Sequence, residues 1–166
     1  LLPMNGNILV CGPNWLGDGI MSMPAVQMLR QRYPECRLTV LVKPKMESLW
    51  RMHASVDEVL CMVPGVGGAL QTAKRVGEQC FDGALVFPNS FRSALIPYLA
   101  RVPVRVGMPG HGRAWMLTSV TRPPVQSERV HQAWEYLEIA GLADDVSGPD
   151  VPRLAIPDPA RVAVGV

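Results

Sequence analysis

The fold class is decided by the stretch Asn7-Ile8-Leu9-Val10-Cys11-Gly12-Pro13-Asn14-Trp15-Leu16-Gly17-Asp18. It begins with a short apolar run that ends at a Gly-Pro pair, and such a run predicts a buried β-strand. From Asp18 to Tyr33 apolar residues recur at helical spacing, and Pro34 ends the pattern. The stretch therefore predicts a strand, a glycine-containing loop and a helix, which is the opening of an α/β unit.

The same alternation of short apolar strands and helices continues along the chain. Further strands are predicted within 37–42, 56–63, 81–87 and 102–106, and further helices within 44–53, 69–79, 90–100 and 130–140. Residues 115–120 fit either a helix end or a strand. Alternating elements of this kind predict a Rossmann-like parallel sheet with helices on both faces. A binding site is then expected beyond the carboxyl ends of the strands.

The length of 166 residues fits one domain with little left over. Four prolines at 149, 152, 157 and 159 predict a linker, and the apolar run 161–166 predicts one more strand. We therefore expect one domain over residues 1–156. Residues 157–166 are expected to hold the linker and the first strand of a second domain.

Composition excludes several classes of protein. A net charge of +2 does not suggest a general nucleic-acid grip. The four cysteines lack the close pairs typical of structural zinc sites, and they fit a reduced cytoplasm. The sequence has neither a run of about 18 apolar residues nor the amino-terminal pattern of a signal peptide. These features favour a cytoplasmic location.

Arginines are concentrated in one acid-free stretch. Between Asp82 and Glu128 the sequence has no acidic residue but has arginines at 92, 101, 105, 113 and 122. The guanidinium fork suits a bidentate grip on phosphate or carboxylate. A genome that favours arginine codons would leave the same composition, so composition alone keeps both interpretations open.

Three predicted loops carry candidate functional residues. Asp18 lies where the first strand hands over to its helix, a position that suits a helix cap as well as a functional carboxylate. After the fourth strand, Asn89 or Ser90 suits the cap of the next helix, whose first turn also forms an anion site next to Arg92. After the fifth strand, a glycine-rich loop carries His111, an exposed histidine on the plainest interpretation. Arg105 and Arg113 flank that loop.

Three sequence runs resemble the ADP-heptose:lipopolysaccharide heptosyltransferases of glycosyltransferase family 9, in particular those of type II. They are the opening strand and loop through Asp18 with Met21-Ser22-Met23-Pro24-Ala25, the run from Phe87 to Pro97, and the run from Arg105 to Arg113. The apolar ending Val162-Ala163-Val164-Gly165-Val166 is similar to the first strand of that family's second domain. The resemblance thus extends over essentially the whole chain.

The resemblance implies a GT-B fold, in which two Rossmann-like domains face each other across a cleft. Residues 1–156 would bind the anionic inner core of lipopolysaccharide, and the domain that begins at 157–166 would bind the donor ADP-heptose. Transfer would invert the anomeric centre without a metal or other cofactor, and the sequence has no Asp-x-Asp motif. By itself the acceptor-side half would be inactive. Peripheral contact with the inner membrane would follow from the acceptor.

The family match also implies roles for individual residues. Asp18 matches the family's catalytic carboxylate, so it is expected to act as general base, a role compatible with capping. Eight residues are predicted to bind the acceptor: Lys43, Lys45, Asn89, Ser90, Arg92, Arg105, His111 and Arg113.

Two other functions fit parts of the sequence. One is a family 9 transferase for a different sugar or acceptor, because donor choice lies in the second domain. The other is a stand-alone flavodoxin-like binding module. Such a module would be expected to close its sheet with a helix and to carry its own phosphate loop, and the sequence shows no convincing loop of that form.

Overall fold

A computed structural model describes residues 6–122, 132–145 and 151–154. In this part of the chain, six strands alternate with helices. The strands are β1 (Asn7–Cys11), β2 (Arg37–Val42), β3 (Glu58–Cys61), β4 (Gly83–Val86), β5 (Val104–Gly107) and β6 (Ser119–Val120). The α-helices are α1 (Leu16–Arg32), α2 (Glu47–Arg51), α3 (Gly68–Glu78), α4 (Phe91–Leu99) and α5 (Ala133–Ala140). Short 3₁₀ turns lie at Pro44–Met46, Ala114–Met116 and Ala143–Asp145.

All six strands are parallel and follow the order β3-β2-β1-β4-β5-β6. The chain runs outward from β1 to β3 and then returns to the other side of β1 with β4. Connections that leave in opposite directions open a crevice between β1 and β4 at the carboxyl edge. The predicted Rossmann-like parallel sheet is confirmed.

Two apolar layers cover the two faces of the sheet, because successive side chains of a strand point to opposite faces. Val10 and Val40 pack on the side of α1, α2 and α5, together with the fully buried Trp50. Leu9 and Leu41 pack on the side of α3 and α4. Helices therefore lie on both faces, as predicted.

The ambiguous stretch 115–120 contains both alternatives, since a 3₁₀ turn ends at Met116 and a two-residue strand follows at Ser119. The predicted linker is described only at residues 151–154, where it lies against α1. The Gln27 side chain donates to the Val151 carbonyl at 3.1 Å and accepts from the Arg153 amide at 2.6 Å. The predicted strand at 161–166 and the domain boundary at 157 lie outside the described residues.

Candidate functional site

The loops that follow β1, β2, β3, β4 and β5 all lie at the carboxyl edge of the sheet, because parallel strands end on the same side. Three glycines bring elements close together at this edge. A Cβ at Gly12 would lie 2.7 Å from a methyl group of Val42, and a Cβ at Gly19 would lie 2.8 Å from the end of Met46. A Cβ at Gly110 would lie 2.6 Å from Oδ1 of Asn89. The absence of side chains at these positions thus lets the loops converge.

Asp18 lies in the first turn of α1, at the opening of the crevice. The N-cap of this helix is Trp15, so Asp18 does not occupy the cap position that its residue type allowed. Its side chain is half-buried, and among the described residues it accepts no hydrogen bond and forms no salt bridge. Within the described part of the chain, no protein donor therefore occupies this carboxylate.

Tyr136 of α5 is the neighbour of Asp18 that sequence reasoning missed. Its ring packs against Phe87, at the end of β4, with 5.1 Å between the centroids. Burial above all, and then the negative charge of Asp18, raise the pKa of the Tyr136 hydroxyl well above its usual range. The hydroxyl accepts a hydrogen bond from Nε2 of Gln132 at 3.2 Å. A neutral phenol thus lies beside the candidate base.

Two cations line one pocket beside the crevice. Lys43 follows β2 and Arg92 lies in the first turn of α4, and both side chains are exposed. They share a pocket of about 310 Å³ with the loop after β3, where Nη2 of Arg92 donates to the Val63 carbonyl at 3.3 Å. Nζ of Lys45 lies 4.7 Å from the ring centroid of the exposed Trp15. These cations create a positive rim suited to an anionic ligand.

Ser90 caps α4, as the simpler interpretation of its position predicted. Its Oγ accepts a hydrogen bond from the Ser93 amide at 3.3 Å. Asn89 and His111 are exposed, and His111 has a φ of +49° in the loop that reaches Asn89 through Gly110. The structure therefore brings the β4 and β5 loops together at the rim.

The position of Arg113 does not allow the predicted contact with the acceptor. Its side chain is 0% exposed, so in this structure it cannot touch a ligand in the crevice. The guanidinium donates to the carbonyls of Met108 at 3.0 Å and of Ser90 at 3.1 Å, to Oγ of Ser93 at 3.1 Å, and to the Pro88 carbonyl. Arg113 thus braces the β4 loop against the β5 loop from behind, and we assign it a positioning role.

Arg105 also lies away from the crevice. It is the second residue of β5, and its guanidinium donates to the carbonyl of Met116 at 2.6 Å and to that of Val102, the latter before the strand begins. The guanidinium lies 5.5 Å from the ring centroid of Tyr98, on the outer side of α4. The prediction that Arg105 binds the acceptor together with Arg92 therefore needs correction, since these contacts hold it on the flank of the sheet.

Neither a metal cluster nor a membrane span is found in the part of the chain that the structure describes. No three histidine, cysteine, aspartate or glutamate side chains gather there to hold a metal ion. None of the helices in the same residues is long and apolar enough to cross a bilayer.

Comparison with known proteins gives a consistent result. The model of glycosyltransferase family 9 (heptosyltransferase) matches residues 69–163, more than half of the chain. Lipooligosaccharide heptosyltransferase 2 of Haemophilus ducreyi is 32% identical over 158 residues, which cover 90% of this chain and 44% of that protein. Lipopolysaccharide heptosyltransferase 2 of Escherichia coli is 37% identical over 119 residues, covering 68% of this chain and 34% of that protein.

Solved structures show the same similarity. The structure of E. coli ADP-heptose lipopolysaccharide heptosyltransferase II superimposes with a TM-score of 0.79 at 28% identity, covering 95% of this chain and 49% of that one. A family 9 glycosyltransferase from Veillonella parvula gives a TM-score of 0.79 at 17% identity, covering 98% and 49%, which supports the fold alone. The chain spans about half the length of the solved chains and less than half that of the curated relatives.

Proposed function

The chain belongs to glycosyltransferase family 9, and we propose that it is the acceptor-side half of an inverting heptosyltransferase of lipopolysaccharide synthesis. Its fold matches the amino-terminal half of heptosyltransferases, which are GT-B enzymes. The proposed donor is ADP-heptose, held mainly by a second domain, and the proposed acceptor is the anionic inner core. The chemistry involves no separate cofactor.

The single observation that carries the proposal is the Asp18 carboxylate, half-buried at the carboxyl edge and without a partner among the described residues. In the proposed step, a hydroxyl oxygen of the acceptor attacks the anomeric carbon of the donor. Asp18 takes the hydroxyl proton while the bond from that carbon to the phosphate oxygen breaks, and ADP leaves with the electron pair. Such general-base assistance contributes about 10²–10⁴-fold in rate.

The positive rim supports an anionic acceptor. Lys43 and Lys45 follow β2 and Arg92 lies in the first turn of α4, so all three are at the carboxyl edge, where carboxylates or phosphates of the inner core would meet them. Asn89 and His111 lie at the same rim and supply hydrogen-bonding groups for sugar hydroxyls. We propose that these five side chains orient the acceptor, while Ser90 and Arg113 hold the loops that carry them.

The location follows from the acceptor. An enzyme that extends a lipid-borne inner core with a nucleotide-activated sugar must work where both are present. We propose the cytoplasmic face of the inner membrane, with peripheral contact at the membrane surface.

The decisive experiment replaces Asp18 with asparagine in the enzyme that carries this chain together with its donor-binding half. We expect turnover of ADP-heptose to fall by about 10²–10⁴-fold, because the amide cannot take the proton. Affinity for the donor, measured by calorimetry, should stay unchanged. The matched control is Glu35→Gln, an exposed carboxylate in the loop before β2, which should behave as wild type. Near-normal turnover of the Asp18 variant would refute the base role.

The same enzyme separates the proposal from another family 9 activity. A panel of nucleotide sugars should show heptose transfer with ADP-heptose and little with hexose donors. Efficient transfer of a different sugar would retain the fold and the base but replace the proposed substrate.

A further inference from the structure

One side of α4 is apolar, and on it Phe91, Tyr98 and Leu99 are exposed while Leu95 is half-buried. Phe91, Leu95, Tyr98 and Leu99 recur at a spacing that aligns residues on one helix face. The other side, with Ser93, Ala94, Ile96 and Pro97, is buried against the sheet and α3. Helices of soluble domains ordinarily turn polar residues outward, so this outer face needs an explanation.

The exposed side chains form one continuous surface. Trp115, which is 60% exposed, meets Tyr98 edge-on at 5.1 Å between centroids and Phe91 at 6.4 Å. Phe91 and Leu95 also line an open pocket together with the fully exposed Val66. We call this surface the aromatic face and define it by six residues: Val66, Phe91, Leu95, Tyr98, Leu99 and Trp115.

Arginines border the aromatic face, and the two pockets along it have no carboxylate among their described lining residues. Arg92 lines the pocket beside Phe91, while Arg101 and Arg105 line a second one with Tyr98 and Leu99. The guanidinium of Arg105 lies over the Tyr98 ring. Since residues 83–127 contain no acidic residue, α4 and the segment through β6 contribute only positive charge here. The combination is complementary to an anionic surface that accepts aromatic rings.

We propose that the aromatic face docks the protein on an anionic lipid bilayer, with the rings at the interface and the arginines on lipid phosphates. Tryptophan and tyrosine favour this interface because one part of each ring system is apolar and another is polar. The inference rests on the proposed function, which requires a lipid-borne acceptor. Phe91 and Arg92 belong to the first turn of α4 and line the same pocket. Arg92 also lines the neighbouring pocket with Lys43, so docking would bring the positive rim next to the headgroups.

The test is sedimentation of the whole chain with vesicles of phosphatidylcholine alone or mixed with phosphatidylglycerol. We expect binding to the mixed vesicles and little to the neutral ones. The double variant Phe91→Ser/Trp115→Ser should weaken binding about tenfold or more, because it removes two large interfacial rings. Arg101→Gln should weaken it about fivefold, the factor for one arginine near an anionic surface. Because both sites are on the surface, a thermal melt should show that each variant remains folded.

Matched controls lie on the opposite face of the sheet. Val151→Ser removes an apolar side chain that is 74% exposed beside α1, and Arg32→Gln removes an exposed charge at the end of α1. Both should bind as wild type. Brominated phospholipid should quench the fluorescence of Trp115, and Trp115→Phe should abolish that quenching while retaining most of the binding.

Three results would overturn the proposal: no binding by the wild-type chain, equal losses in the controls, or a wild-type dimer that Trp115→Ser dissociates without any vesicle binding. The last would assign the aromatic face to a second copy of the chain. The base role is tested separately, because Asp18→Asn should bind vesicles as wild type. If the wild-type chain fails to bind vesicles while Asp18→Asn loses turnover, the docking proposal is rejected and the base role is retained.

Discussion

Replacing Arg113 with methionine distinguishes a positioning guanidinium from an acceptor ligand. Methionine fills similar space but removes the guanidinium donor from the carbonyls of Pro88, Ser90 and Met108. The Ser93 hydroxyl still lies within hydrogen-bond distance of the first two, so the Met108 carbonyl is the one left without a donor among the described residues. A hydrogen bond from a charged group contributes about 1.5–3 kcal/mol, and a buried acceptor left unsatisfied costs about 1–3 kcal/mol. The substitution also removes a buried charge, which offsets part of that loss.

The offset is substantial because the charge is poorly compensated. Burial lowers the pKa of the Arg113 guanidinium, and among the described residues no carboxylate pairs with it. Its Nη2 is buried without a partner there. Burial raises the pKa of the neighbouring Cys11 thiol to about 12, so that group stays neutral. We therefore expect Arg113→Met to lower the free energy of unfolding by about 3–4 kcal/mol. This value lies towards the lower end of the sum of the lost hydrogen bond and the unsatisfied acceptor.

The assay is urea denaturation of the chain, followed by circular dichroism. With an m-value of about 2 kcal/mol per molar urea, the midpoint should fall by roughly 1.5–2 M. Arg105→Met is the matched control, because its half-buried guanidinium also donates to two carbonyls but lies where water can replace it. Arg105→Met should lower the free energy of unfolding by only about 1 kcal/mol. If Arg113→Met unfolds like wild type while the enzyme loses affinity for the acceptor alone, the positioning role is refuted.

Three further substitutions test the packing below the site. Gly68→Ala should lower the free energy of unfolding by about 2 kcal/mol or more, because its Cβ would lie 2.1 Å from the Val63 carbonyl oxygen. Gly77→Ala in the same helix should raise the free energy of unfolding by about 0.5–1 kcal/mol, because its Cβ meets no close contact. Both values are measured in the same urea assay. Burial lowers the pKa of His53 below its usual 6.5, so the folded chain resists protonation and stability should fall as the pH drops below about 6.5. His53→Phe should reduce the change in melting temperature between pH 7 and pH 5, and an unchanged pH dependence would contradict this.

The sequence predicted most of the fold because the decisive signals were local. Buried parallel strands are short apolar runs. Gly12 directly follows β1, and Pro88 comes two residues after the end of β4. The stretch 115–120 resisted assignment because a 3₁₀ turn and a two-residue strand are both too short to show a period. The sequence pattern predicts the start of α1 at Asp18, two residues late, because Trp15 holds the N-cap position without the side-chain bond that makes caps recognisable.

The site was less predictable, because it depends on directions that sequence spacing does not give. The sequence predicts Asp18 and Arg92 at the carboxyl edge, and the structure has both there, since each lies in the first turn of the helix after a strand. Arg105 was misplaced because the second residue of a strand lies near its amino end, and its side chain turns towards Met116 and Tyr98. Tyr136 was overlooked because only the packing of α5 on α1 brings it near Asp18.

Arg113 shows why arginine-rich loops are easily misinterpreted. The same fork that grips phosphate also fits a set of converging backbone carbonyls, and sequence cannot distinguish these uses. Here the carbonyls of two neighbouring loops converge because Gly110 lets those loops touch. The buried Arg113 guanidinium therefore holds the two loops in place, while the exposed cations Lys43 and Arg92 face the solvent. The proposed acceptor site would keep its rim in place before the ligand arrives, so less ordering would be required on binding.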